Sequence, residues 1–500
     1  MIDNMDKKKR LVINAFVGFF SQLITIVFGL CIPRIVLVNY GSDTNGLIST
    51  ISQVFTYLAL LEAGISSAAR NMLYKPVSTD DKEKISYWMS VAKRYYRKIS
   101  VYYLFCVCIF AIVMPFLLKT EISFGTVFFY IIFEGLTSVI SFYFINTWTC
   151  FLNAKGEIYV VNIINMISII LCYAVKIILI LSGINIAFIQ IGIFFVSLIK
   201  LFIYKVYLGK KYQWIRYDAA PDTATLPDRT AYVISEITWT VFSATDMLVL
   251  SIFLSTAASS VYSVYNMVFI ALSGLLNAVY QATFYNLGIA YHESIEKYKK
   301  MHDTFNSFFM ASITVLISVA YIMIIPFVKL YTKDISDINY FHRYLPICFS
   351  LIQLLTWSRY IGGNLIGVAG RQKPALKINI IEAAVNLVLS VILVNIFGIT
   401  GVIIATICAL PIKIIYCNYI SDIIIMKRKP FKTISVLGIN YLIFGTVVFF
   451  KDMIDLDINS YLVFFEYGAL ITVIIAVGVF FINCLVNRDM FKTLRKVIKK

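Results

Sequence analysis

LVINAFVGFFSQLITIVFGLCIPRIVLVNYGSDTNGLISTISQVFTYLALLEAGISSAAR, residues 11–70, decides how the rest of the chain is read. Residues 11–38 are apolar almost throughout, and about 20 residues of helix cross roughly 30 Å of hydrocarbon. The segment carries Arg34 near its end. A polar turn from Asn39 to Gly46 follows, and a second apolar segment returns with Glu62 inside it. The stretch therefore predicts a transmembrane hairpin holding charges. An ionisable side chain at the bilayer centre costs about 3 kcal/mol on insertion scales, so it faces a protein interior or a watery path. The expectation is a transporter.

Composition agrees with that expectation. The 500 residues are 60% hydrophobic and only 14% charged, with a mean hydropathy of +0.82. A soluble domain averages about 25% charged residues, so this is a polytopic membrane chain with no length left for a soluble catalytic domain. The apolar runs are continuous and about twice the ten residues of a barrel strand. The start, MIDNMDKKKR, resembles the basic flank of a signal peptide. No small-residue cleavage site follows, so the first helix is expected to stay. Eight of the nine cysteines fall in apolar runs without C-x-x-C spacing, and His292, His302 and His342 lie in expected loops. No metal site, nucleophile elbow or phosphate loop is legible. Neither an enzyme nor a one-chain ATP-driven pump is expected, and no cofactor.

Further apolar segments predict helices at about 100–118, 124–152, 158–181 and 184–207, then 230–254, 259–290, 304–330, 344–367, 374–395, 399–426, 433–450 and 461–486. The fold class is thus all-α integral membrane, with about 14 transmembrane helices. Even parity puts both termini on one side, and the positive-inside rule makes that side cytoplasmic. Of the 44 Lys and Arg, 34 fall in the termini and loops assigned to it. Six fall in outer loops or helix ends: Arg34, Lys119, Lys329, Lys333, Arg343 and Lys451. The net charge of +17 then describes a cytoplasmic face beside anionic membrane lipid and requires no nucleic-acid partner.

An internal repeat divides the chain. MPFLLKTEIS at 114–123 is echoed by IPFVKLYTKDIS at 325–336, placing Pro115 and Pro326 alike. SGIN at 182–185 is echoed by FGIT at 397–400, and Lys200 by Lys413. The expected organisation is two pseudo-symmetric six-helix bundles, 1–208 and 230–426, joined by a cytoplasmic linker at 209–229. Residues 427–500 add helices 13 and 14 and a basic tail. Parallel repeats of this kind hold substrate between the bundles and rock to give alternating access.

The intramembrane cations are Arg34, Lys176, Lys200, Arg359 and Lys413, and the acids at depth are Glu62, Glu134, Asp246 and Glu382. Arg34, Lys176, Arg359 and Lys413 are the candidate substrate-binding cations, since Arg and Lys hold phosphate strongly once water is excluded. Equally, such charges fix bundles by pairing with the acids, or snorkel to the interface. Glu62, with Glu134, Asp246 and Glu382, is a candidate site for coupling to H+ or Na+, or else a partner in an ion pair. Gly363 and Gly367 on helix 10 suit close helix packing. Pro33 and Pro411 are candidate kinks.

The first hairpin also resembles a known family. Its turn Tyr40-Gly41 to Asn45-Gly46-Leu47, and the run Leu60-Leu61-Glu62-Ala63-Gly64-Ile65, are similar to the opening hairpin of polysaccharide repeat-unit (Wzx-type) flippases. These belong to the multidrug/oligosaccharidyl-lipid/polysaccharide exporter (MOP) superfamily. The likeness of pattern covers essentially the whole chain, with fourteen helices, two bundles and a terminal pair. It implies transfer of an undecaprenyl-pyrophosphate-linked oligosaccharide to the outer leaflet of a bacterial cytoplasmic membrane, for capsule or O-antigen synthesis. A polysaccharide polymerase complex is the implied protein partner. Arg34 and Arg359 match the family's cavity cations. Lipid II flippases of the superfamily carry more arginines in their first two helices, whereas this chain has only Arg34 before Arg70. The rival reading is a cation-coupled, MATE-like antiporter of small amphiphiles with Glu62 or Asp246 as its coupling site. A glycan polymerase or ligase ranks behind both, because the outer loops are short.

Overall fold

A segment inside a bilayer has no water to satisfy its peptide groups, so long apolar runs become helices. The computed structural model describes residues 7–62, 65–218, 229–369, 372–453, 456 and 458–487. Among these residues every regular element is helical. We number the long helices α1 to α14. The first pair are α1, 7–40, and α2, 42–62, separated by Gly41 with φ 80° and ψ 179°, a conformation open to glycine and closed to side-chain-bearing residues. A short helix, Ile65–Ser78, precedes α3, Lys82–Leu117. Then come α4, Phe124–Ala154, with one widened turn at Ser141–Ile145, α5, Ile158–Leu181, and α6, Ile186–Lys211.

The series continues with α7, Arg229–Phe253, α8, Thr256–Glu293, and α9, Ile295–Tyr331. The tenth helix, α10, is broken into Leu345–Trp357 and Tyr360–Val368. Gly398 separates α11, 372–397, from α12, 399–425. The last two are α13, Phe431–Phe450, and α14, Tyr461–Val486. Ten helical stretches among the described residues are long and apolar enough to cross a membrane. Two of the ten fold back, at Gly41 and Gly398, and α7 and α10 complete the fourteen. The chain is a multi-pass membrane protein.

Hydrogen bonds fix the reversals. On α1, Asn14 reaches the Gly156 carbonyl between α4 and α5, whereas Tyr40 donates to Ile184 between α5 and α6. The helix therefore runs from the end holding the basic turns, the basic end, to the opposite or far end. Going back along α2, Thr50 meets Ser251 and Tyr57 meets Thr245 of α7, so these two helices are antiparallel. In the same way Asn386 of α11 bonds Thr406 of α12 at 2.8 Å.

The polar stretch from Arg70 to Lys98, expected as a connection, is helical instead, and α3 starts at Lys82. Asp81 caps it by accepting from the Lys84 amide at 3.0 Å, and its bond and ion pair with Lys84 hold the carboxyl below its ordinary pKa. Beneath the charges, Ile85, Met89, Ala92, Tyr96 and Ile99 recur at helical spacing and are buried. Charge density masked an amphipathic helix.

By contact the chain forms two compact units, Met1–Ser259 and Ser260–Lys500. The linker expected at 209–229 thus falls within the first unit, with 219–228 outside the described residues, and α7 packs with the first six helices. The first unit has one apolar core toward the basic end, around Met89, Tyr96 and Phe151, and another toward the far end, around Leu47, Val107 and Ile131. At its basic end the buried Glu157 carboxylate accepts from Tyr207 at 3.0 Å, Lys211 at 3.1 Å and Tyr212 at 2.7 Å. In the second unit α13 and α14 are tied to α9 through buried amides. Thr314 donates to Asn440 at 2.8 Å, and Asn440 to Asn483 at 3.0 Å.

Candidate functional site

One buried charged group of the second unit is built from three helices. Between the two pieces of α10, Ser358 turns its hydroxyl onto the Leu354 carbonyl at 2.7 Å and also accepts from Tyr441 of α13 at 2.8 Å. The break sets Arg359 facing α11. Gly362, one turn on, lets α10 press against α12, since a Cβ there would lie 2.9 Å from Asn418 Oδ1 and 3.1 Å from the Cys417 carbonyl oxygen. Gly363 is looser, with Cys417 Sγ 3.6 Å from an added Cβ, and the surroundings of Gly367 lie outside the described side chains.

Arg359 bonds Glu382 of α11, and Lys413 of α12 approaches the other carboxylate oxygen at 3.7 Å. Arg359 is 3% and Glu382 2% exposed. Within the trio two cations share one carboxylate, and the three formal charges sum to +1. Removing water around such a group strengthens its attraction for any anion that reaches it, and equally raises the cost of parting the pair.

A row of neutral polar side chains runs on from this group. Asn379, Glu382, Asn386 and Ser390 follow one another at three- and four-residue steps along α11, one face of the helix. Asn386 and Ser390 are fully buried. Asn386 donates to Thr406, while its oxygen and the Ser390 hydroxyl have no hydrogen-bond partner among the described residues. On α10 both amide atoms of the buried Asn364 are likewise without one. Sequence reasoning had listed charges and missed this stripe; its signal was neutral polar residues repeating at helical period in an apolar segment.

The first unit holds a second group. Gln190 of α6 donates to Glu134 of α4 and is 1% exposed. Its amide oxygen has no hydrogen-bond partner among the described residues. Gln190 and Lys176 of α5 line a cavity of about 80 Å³ with Pro33, Tyr40, Asn45 and Tyr130. Arg34 is half-buried beside Pro33 on α1, and Lys200 is half-buried on α6. Gln190 was not among the expected residues.

Two expected acids sit elsewhere. Glu62, in the last turn of α2, accepts from the buried Tyr96 of α3 at 3.0 Å. Asp246 on α7 is 7% exposed, next to the Thr245 that bonds Tyr57. The structure therefore brings together Arg359, Glu382 and Lys413 in one unit, and Glu134 with Gln190 beside the Lys176 cavity in the other. Glu62 instead accepts from Tyr96, and Asp246 lies next to Thr245 on α7.

Comparison with known proteins finds no matching family model and no matching curated protein. Solved structures do match. The lipid II flippase MurJ in an inward closed conformation aligns with a TM-score of 0.66 at 15% identity, over 96% of this chain and 100% of that one. An inward-facing multidrug resistance MATE family transporter of the MOP superfamily aligns at 0.61 and 14% identity, over 87% of this chain and 99% of that one. The MATE multidrug transporter DinF-BH gives 0.61 and 13% identity, over 86% of this chain and 99% of that one. At such identities the likeness is one of fold: the chain has the fold of MOP-superfamily transporters.

Proposed function

We propose that the chain is a flippase that carries an oligosaccharide linked to undecaprenyl pyrophosphate across a bacterial cytoplasmic membrane by alternating access. The observation that carries this reading is the Arg359–Glu382–Lys413 group, where two cations meet one carboxylate inside the bundle. A diphosphate is the anion that such a pair suits, with Arg offering a planar fork and Lys a point charge. Extent supports it too. The MurJ alignment covers 96% of this chain, and the two MATE alignments cover 87% and 86%. Both termini and the basic turns are taken to face the cytoplasm. An inside-negative potential favours outward movement of the headgroup by about 2.3 kcal/mol per charge per 100 mV, so the potential alone is a sufficient driving force. Arg34 and Lys176 are assigned to the first unit's share of the path, and a polysaccharide polymerase complex to the outer leaflet as recipient.

The second reading is a cation-coupled antiporter of small amphiphiles, favoured by the MATE folds and by the buried Asp246. Depletion in the native host separates the two. The flippase reading expects a labelled lipid-linked oligosaccharide to build up on the inner leaflet, released by the wild-type chain and at least about tenfold more slowly by Arg359→Ala expressed at equal level. Retention of a cationic dye with no lipid build-up favours the antiporter.

A further inference from the structure

The repeat places α7 at the head of the second copy, yet by contact it belongs to the first unit. What holds it there is unevenly distributed along its length. At the far end, Asp43 in the first turn of α2 accepts from the Thr120 hydroxyl at 2.7 Å, the Glu121 amide at 3.0 Å and the Thr256 hydroxyl at the start of α8. Lys119, between α3 and α4, donates from Nζ to the Phe253 carbonyl at 2.6 Å and from its amide to the Ser251 carbonyl at 3.1 Å. In return Thr256 gives its amide to the Lys119 carbonyl at 3.1 Å. One turn deeper come the hydroxyls of Thr50, Ser251 and Ser259, and below them Tyr57 meets Thr245. The far end of this seam is clasped by the Asp43 carboxylate and by backbone bonds, and hydroxyl pairs follow along its middle.

Bonds to a carboxylate are stronger than neutral ones, and backbone partners cannot swing aside as side chains do. A clasp of this kind biases a two-state equilibrium toward the state that contains it. We propose that Asp43, Lys119 and Thr256 form the outer gate, a clasp that closes the path to the outer face in this conformation and must open for the cargo to leave. The assignment rests on the alternating-access reading above. It makes Asp43 a positioning residue with no contact to cargo.

The test reads the gate without cargo. Thr50 is fully buried in the seam, so Thr50→Cys reports its opening to a membrane-impermeant maleimide added to whole cells, scored by mass spectrometry on the peptide that contains residue 50. Removing the carboxylate that gathers three bonds is expected to raise labelling at least about tenfold in Thr50→Cys with Asp43→Ala over Thr50→Cys alone. A second variant, Asp43→Cys with Thr256→Cys, is expected to form a disulfide that stops transport until it is reduced with dithiothreitol. The proposal is overturned if Asp43→Ala leaves labelling unchanged, if the cysteine pair does not oxidise, or if the oxidised pair transports as fast as the reduced. Labelling that responds while no oligosaccharide-lipid moves keeps the gate and removes the substrate reading.

Discussion

Glu382 shows how much a single residue carries in a low-dielectric bundle. It is the carboxylate that Arg359 and Lys413 share, so its loss strands two cations rather than one. Truncating one partner of a buried pair costs about 3–5 kcal/mol, whereas replacing both partners by apolar side chains is often neutral. Glu382→Ala is therefore expected to lose most of its thermal stability in detergent, followed by fluorescence-detected size exclusion. Arg359→Met with Glu382→Met, which leaves Lys413 as the one unmatched member of the trio, should regain part of that stability while remaining inactive in transport. A double variant that transports normally would show that the group only holds the bundle. The charges themselves were legible in the sequence because ionisable residues are rare in apolar runs. Their pairing was not, since it depends on the rotation of α10, α11 and α12 about their own axes. Gln190, Asn364 and Asn386 escaped notice because neutral polar residues are common in membrane helices and only their burial singles them out.

At the scale of elements, the repeat read from the sequence has a backbone counterpart. Gly183, between α5 and α6, has φ 69°, and Gly398, between α11 and α12, has φ 59°. Both glycines fill the same place in SGIN and FGIT. Pro115 falls in the last turn of α3, and Pro326 lies five residues before the end of α9. A left-handed position disfavours any side chain by about 1–3 kcal/mol. Gly398→Val is thus expected to weaken the α11–α12 reversal by that amount, seen as a loss of properly folded protein in the membrane, and Gly183→Val to do the same at α5–α6. If only one of the two is sensitive, the equivalence of the turns fails. What the sequence reading missed at this scale was the helical nature of residues 82–98, where charges on the solvated face concealed the buried row from Ile85 to Ile99. The basic end adds a second example. Arg428 lies between α12 and α13; burial opposes its charge, but Asp422 and Asp303, each 2.7 Å away, more than offset this and raise its pKa. A sequence that reads as a bare basic loop is in fact an ion-paired junction of α9, α12 and α13.

For the molecule as a whole, apolar length and charge asymmetry were enough to anticipate a fourteen-helix transporter fold, because in a bilayer the backbone leaves few alternatives. Where the chain divides was harder to anticipate, since composition marks the polar stretch at 209–229 while contacts divide it at Ser259. Reconstitution is the direct test of the proposed cargo, an anionic, lipid-linked glycan. Purified protein in vesicles carrying a polyprenyl-diphosphate oligosaccharide with a fluorescent sugar would be followed by quenching from outside under an imposed potential. Label is expected to move to the leaflet made positive at least about tenfold faster than in protein-free vesicles, and Arg359→Ala is expected to abolish the movement. A rate equal to that of empty vesicles, from protein that still exports a cationic amphiphile, would contradict that proposal.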